Sequence, residues 1–334
     1  MIIAGLTTNN PCKDRISYKD IHINSHLDMD QLLEEPDSLE IDSTVNTWQE
    51  MSYESDDFKI IKESSYLLSR KLLLIEHTVN GHKHYGALIL PKGGFKRDTS
   101  DLLIIASGLD QSNPVVNIDG NYWLQQMATG CEDMALLIPS FRGQSLKSGG
   151  NYYCSDGFFG DAFDGAAIDA LTLLNVAETI YPTISKEVYV YGISRGATVA
   201  VLMAVRNVEI KMVVAQSGPY DFTGDYAYRN HSMQFKYQFL SRPMDKNVIR
   251  NKIISSSPIY FSQYVKSDVM IIHGKNDEVC SFSKAEEFYE SFPKNGHVRK
   301  KWKDGGHGLM QFSDVIDQIK NHQMDVINSQ QSVQ

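Results

Sequence analysis

The run Gly192-Ile193-Ser194-Arg195-Gly196 sets a serine between two glycines. A β-forming stretch, Val188-Tyr189-Val190-Tyr191, precedes it, and the helix-forming stretch Ala197-Thr198-Val199-Ala200-Val201-Leu202 follows. G-x-S-x-G between a strand and a helix is the context in which a tight turn lifts a serine Oγ out of a sheet. The spacing has a steric cause. A Cβ at either glycine would strike neighbouring backbone, while the serine is held in a strained conformation. The next helix aims its amino terminus at the hydroxyl and favours negative charge there. The chemistry implied is nucleophilic acyl transfer, which needs a base beside Ser194 and an acid to orient that base.

Both partners have candidates downstream. The apolar run 269–272 ends in His273-Gly274-Lys275-Asn276-Asp277-Glu278-Val279, so Asp277 falls in a loop after a strand. Residues 298–302 read as a last strand, followed by Lys303-Asp304-Gly305-Gly306-His307-Gly308. Glycines on both sides of His307 let that loop carry an imidazole back over the sheet. Asp304 and Asp268 compete as acids, but Asp304 is only three residues from His307 in the same loop. Asp277 could instead cap the helix near Ser283, and His307 could be a solvated loop residue. For an oxyanion, the backbone N–H of Arg195 supplies one donor. The loop Ser107-Gly108-Leu109-Asp110, after the strand 102–105, supplies the other, expected at Leu109.

These loops need a sheet beneath them. Asn80-Gly81, between residues 72–75 and 87–90, suits a type I′ turn and predicts a hairpin. Beyond it, apolar runs at 102–105, 134–138, 188–191, 212–215 and 269–272 are continuous rather than alternating, as in parallel strands covered on both faces. Helix-period stretches cover 162–177, 197–205, 284–292 and 315–327. The expectation is an α/β fold with a mostly parallel central sheet, an N-terminal antiparallel hairpin and helices on both faces. Reactive groups then belong at the carboxyl ends of the strands. Residues 1–65 read as an N-terminal extension of unknown role, with short helices near 32–35 and 45–51. Residues 66–328 form the main domain, and 329–334 a disordered tail.

The motifs Gly-Ile-Ser-Arg-Gly, His273-Gly-Lys-Asn-Asp277-Glu-Val279, Gly305-Gly306-His307-Gly308, Phe141-Arg142-Gly143 and Ser256-Ser257-Pro258 resemble the catalytic domain of the prolyl-oligopeptidase family and the related dienelactone-hydrolase-type serine hydrolases. The resemblance covers roughly residues 70–328. It implies the α/β-hydrolase fold and the triad Ser194, Asp277 and His307. The chain departs from the family in three places. Some 65 leading residues cannot supply a substrate-sieving propeller, Arg195-Gly196-Ala197 stands where an aromatic residue and two glycines are typical, and Ser107 replaces a common histidine.

Further candidates surround this core. Residues 219–264 are rich in aromatics and read either as a lid over the pocket or as a packed excursion. Tyr220 and Phe222 are candidate pocket residues, together with Asp110. Arg142 either binds an acidic substrate group or pins loops by pairing with carboxylates. His82 with His84, and His22 with His26, have ligand-like spacing, but no HExxH or carboxylate cluster accompanies them. No metal or organic cofactor is expected, and Cys280 near Asp277 is taken as a bystander.

The whole chain fits this picture. Its 334 residues are 42% hydrophobic and 22% charged, enough for a large core. Its 41 acidic against 32 basic side chains, net −9, argue against nucleic-acid or anionic-membrane partners. No run reaches the ~18 apolar residues of a membrane span. Four widely spaced cysteines read as reduced thiols and, with no targeting signal, the cytoplasm is the expected location. The expected substrate is a small carboxylic ester. A serine peptidase on short peptides, an acyltransferase on the same triad and a silent binding module are the alternatives; oligomeric state is not readable.

Overall fold

Asn80 and Gly81 have φ values of 51° and 75°, and Val79 pairs with His82, so a two-residue turn joins β2 (Arg70–Val79) to β3 (His82–Ile89). The positive φ angles follow the right-handed twist of the flanking strands. This hairpin leads into the structure, a computed structural model that describes residues 12, 27–94, 100–110, 112–184, 186–230, 232–242, 244–294, 296–308 and 312–331.

With β1 (Phe58–Tyr66), the hairpin forms the antiparallel edge of a nine-stranded sheet. The chain continues through β4 (Leu102–Ala106), β5 (Val115–Asn117), β6 (Ala135–Ser140), β7 (Ser145–Ser148), β8 (Asn151–Cys154), β9 (Val188–Ile193), β10 (Ile210–Gln216), β11 (Asp268–Gly274) and β12 (Val298–Lys303). Strand order is β1-β2-β3-β6-β4-β9-β10-β11-β12, and every pair from β6 to β12 is parallel. Strands β5, β7 and β8 make a separate small sheet.

Alternate residues of the central strands feed two cores, as the two-residue side-chain period requires. Leu73, Ile75, Val190, Val213, Val269 and Ile271 face one side. There α4 (Asp164–Ile180) and α5 (Arg195–Arg206) pack, with Ala166, Ala170, Leu174, Val199 and Met203 buried. Leu72, Leu74, Tyr189, Tyr191, Met212, Val214 and Ile272 face the other side, covered by α3 (Tyr122–Gly130) and α10 (Phe312–Gln331). The uninterrupted apolar runs are explained by this two-sided burial.

Residues 27–51 pack against this body, and the first strand of the sheet starts at Phe58. The short α1 (Met29–Leu33) and α2 (Ser38–Glu50), the latter opened by an Asp37–Glu40 capping box, place Leu32, Leu33, Val45 and Trp48 in the first core. Trp48 meets Phe261 edge-on at 4.6 Å, and the Arg206 guanidinium lies 4.2 Å over the Trp48 ring. Arg250 closes the junction through Glu40 at 2.8 Å. At the other end α10 runs to Gln331, so the chain stays helical past 328; residues 332–334, like His22 and His26, lie outside the described residues.

The expectation of four reduced cysteines is also corrected. Cys12 and Cys154 form a disulfide, their Cα atoms 5.6 Å apart although 142 residues separate them in sequence. Only the fold brings such distant positions together. Cys131 and Cys280 are free and buried.

Between β10 and β11 lies a helical insert: α6 (Gly224–Asn230), α7 (Ser232–Phe235), a π-helical turn Lys236–Leu240 and α8 (Lys246–Ser255). After β11 comes α9 (Phe282–Ser291). The insert's rings both pack and line. Phe222 meets Phe163 at 4.3 Å, and Phe235 meets Phe239 at 4.9 Å, within the first core.

Candidate active site

Ser194 stands at the end of β9 and caps α5 with φ 54° and ψ −123°, a conformation a non-glycine residue holds only when its surroundings impose it. The surroundings are visible at the flanking glycines. A Cβ on Gly192 would come within 1.9 Å of the Gly196 carbonyl oxygen, and one on Gly196 within 2.0 Å of the Ala106 oxygen. The turn therefore closes only with glycine at both places.

The loops after β11 and β12 converge on this serine. His307 Nε2 lies 3.0 Å from Ser194 Oγ, and its Nδ1 lies 2.9 Å from Asp277 Oδ2. An ionised carboxylate only accepts, so the Nδ1 proton points at Asp277 and the Nε2 lone pair is left for the serine hydroxyl. Asp277 Oδ1 accepts the Val279 and Cys280 amides at 2.9 and 2.8 Å. A second imidazole supports the acid: His273 Nε2 faces both Asp277 Oδ2 at 3.3 Å and the Cys280 carbonyl at 2.9 Å. Both are acceptors, so this nitrogen carries a proton. Burial alone would raise the Asp277 carboxyl, but hydrogen bonds from His273, His307 and the Cys280 amide outweigh it and hold the group well below the usual carboxylate range. The competing acids stand elsewhere. Asp304 is exposed and paired with Lys275, and Asp268, at the start of β11, bonds His297 and His322.

The loop after β4 lies alongside. A Cβ on Gly108 would meet Ser194 Cβ at 3.5 Å, and Leu109 lines the cavity above the serine. As the first residue of α5, Arg195 has a backbone N–H directed out of the helix end. Its side chain does work that sequence reading missed. Buried to 1% exposure, the guanidinium donates to the Ser107 carbonyl at 3.2 Å, the Ser107 hydroxyl at 3.2 Å and the Gly108 carbonyl at 3.0 Å, and it stacks 4.6 Å over Phe141. Nothing in the local pattern signals this, because the partners lie about ninety positions away.

A cavity of about 210 Å³ opens over Ser194 and His307. Tyr220, Phe222, Phe163 and Phe235 form its apolar wall, while Gln238, Asp221 and Lys284 bring polar groups to it. The structure thus unites Ser194, Asp277, His307, Arg195, Leu109, Tyr220 and Phe222. It leaves out two residues expected there. Asp110 is exposed, its carboxylate accepting from Ser112 and Asn113 in its own loop. Arg142 is spent on Asp169 and Asp161, at 2.7 and 2.6 Å, and borders a different cavity. It pins loops rather than facing Ser194. Cys280 borders the cavity, but burial pushes its thiol pKa up, away from thiolate chemistry. Among the described residues, no group of three or more His, Cys, Asp or Glu side chains could hold a metal ion.

A mostly parallel sheet with helices on both faces and a Ser-His-Asp constellation at its carboxyl edge defines an α/β-hydrolase with a site of the serine-hydrolase type. Residues 166–324 match the prolyl oligopeptidase family. No curated protein matches the chain by sequence. Among solved structures, an acetyl xylan esterase of Thermoanaerobacterium is 21% identical, with 87% of this chain and 97% of that one covered at a TM-score of 0.60. An esterase of Pyrococcus furiosus is also 21% identical, covering 76% and 94% at 0.56. The acylaminoacyl peptidase of Pyrococcus horikoshii is 17% identical, covering 75% of this chain and 46% of that larger one at 0.53. At these identities the likeness concerns the fold.

Proposed function

We propose that this chain is a serine hydrolase that cleaves small carboxylic esters through an acyl-enzyme. The observation that carries the reading is the unbroken line of contacts Ser194–His307–Asp277 beneath a small aromatic cavity. His307 Nε2 takes the Ser194 proton as Oγ adds to the ester carbonyl; the tetrahedral oxyanion is held by the N–H groups of Leu109 and Arg195. Collapse expels the alcohol, which receives the proton from His307. Water, deprotonated by His307, then releases the acid and restores the serine. Asp277 keeps the imidazole in the required tautomer throughout.

The ester reading is supported by the cavity's small size and apolar wall, and by the esterases among the structural neighbours. The match of residues 166–324 to the prolyl oligopeptidase family favours a second reading, cleavage of short peptides. In the proposed organisation one hydrolase body begins at the sheet's first strand, with residues 27–51 packed on it and residues 219–264 covering the site. No described helix is long and apolar enough to cross a membrane. The Cys12–Cys154 bond favours an oxidising compartment over the cytoplasm.

The test is intact-mass spectrometry of the protein with a fluorophosphonate probe and with a panel of esters, thioesters and peptides. One covalent adduct that maps to Ser194, with esters turned over faster than peptides, is expected. Absence of any adduct would overturn the mechanism, and peptide turnover without ester preference would put the peptidase reading first.

A further inference from the structure

Gln238 sits in the π-helical turn Lys236–Leu240 of the insert, 4% exposed, on the wall of the cavity above Ser194. Single π turns are rare and recur at functional sites, because the extra residue redirects a side chain that an α-helix would place elsewhere. Its Nε2 has no hydrogen-bond partner among the described residues. A buried amide donor left unpaired is destabilising, so such a group is retained where something else satisfies it. The rings of Phe163, Phe222 and Phe235 line the same cavity and offer it no strong acceptor, and the carboxylate of Asp221, on the same lining, accepts from Thr223. Gln238 also borders a second cavity, where Arg142, Arg242 and Lys252 are donors and the one carboxylate, Asp161, is paired with Arg142 and Lys252.

We propose that Gln238 is a specificity residue that donates through Nε2 to an oxygen on the substrate. The substrate class is then an ester whose buried portion is a ring or similarly sized apolar group bearing a hydroxyl or carbonyl at its far end. The rings of the wall accept the apolar body and Gln238 reads the polar tip. A site built this way discriminates more steeply than an apolar pocket, because an analogue without the oxygen leaves the amide unpaired. The proposal deepens the serine-hydrolase reading and rests on it.

Two matched ester pairs test it. One pair is methyl phenylpropanoate and its ring-hydroxylated counterpart, which varies the acyl side; the other is phenethyl acetate and its ring-hydroxylated counterpart, which varies the alcohol side. The wild-type protein is expected to favour the hydroxylated member of one pair by roughly tenfold in kcat/KM. Gln238→Met, similar in length but without a donor, should erase that ratio. A wild-type ratio near unity in both pairs overturns the proposal whatever the variant does. So does a ratio that survives in Gln238→Met or, should that variant not fold, in Gln238→Ala. Fluorophosphonate labelling of the same preparations separates the two claims. Labelled protein without the ratio sinks only the role of Gln238, whereas unlabelled protein sinks the hydrolase reading beneath it.

Discussion

Arg195 holds Ser107 twice, through its carbonyl and its hydroxyl, each at 3.2 Å. The residue after the nucleophile is thereby tied to the loop that brings Leu109 over the site. Two of the positions where the sequence departs from the prolyl-oligopeptidase pattern, an arginine after the serine and a serine in place of histidine, are the two ends of one contact. The guanidinium forks across two successive carbonyls, a geometry a lysine ammonium cannot reproduce. Arg195→Met should therefore lower kcat by about tenfold to a hundredfold with little change in KM, since oxyanion stabilisation depends on donors held in place. Arg195→Lys should recover only part of the loss. Steady-state kinetics on an aryl acetate, with melting curves as a control for folding, will check this.

Ser194→Ala should reduce kcat by roughly a million-fold if the three residues act as a unit, with His307→Ala nearly as severe and Asp277→Ala milder. Activity within tenfold of wild type in Ser194→Ala would remove the covalent mechanism.

His273 acts on the reaction through Asp277. With Nε2 placed between Asp277 Oδ2 and the Cys280 carbonyl, it fixes both the carboxylate and the turn that carries it. His273→Phe should cost about tenfold in kcat while KM stays close to wild type, since a lost hydrogen bond to a charged group is worth more than a neutral one. A KM change that dominated the effect would point to disruption of the pocket instead.

Acid should destabilise the protein through His77. It pairs with His84 across the hairpin, ring centroids 5.9 Å apart, and among the described residues neither of its ring nitrogens has a hydrogen-bond partner. Burial, helped by the neighbouring His84, lowers its pKa to about 3. The unfolded chain, with an ordinary histidine, binds a proton first as pH falls. Stability is thus fully present above the unfolded value and declines from about pH 6.5 towards about pH 3. Urea midpoints at about pH 7 and about pH 4.5 should differ in the wild type, and His77→Leu should shrink that difference.

The disulfide makes a counting prediction. Ellman's reagent on the unfolded, unreduced protein should find the two free thiols of Cys131 and Cys280, and reduction should expose Cys12 and Cys154 as well. Because the bond closes a long loop, reduction should lower stability by about 2–4 kcal/mol, read as a shift in the urea midpoint. Four reactive thiols before reduction would refute the bond.

The contrast between Gly192 and Gln238 shows what was readable in advance. The elbow's requirement for glycine, the Asn80-Gly81 turn, the doubly buried strands and the loops bearing Asp277 and His307 all arise from interactions within a few residues or from strand burial. Composition and periodicity record such effects directly. Residues 27–51, by contrast, gave no sign of packing into the core, because Trp48 finds its cover on Phe261 and Arg206, far along the chain. The same holds for Arg195 on Ser107, Arg142 on Asp169, Cys12 on Cys154 and the unpaired amide of Gln238. These depend on strand order, which sets β4 between β6 and β9, and on the path of the helical insert. A side chain's long-range partner is chosen by where the sheet and helices carry it. By itself the sequence therefore determined the reacting groups and the turns that present them; the tertiary structure decided which other groups surround and steady them.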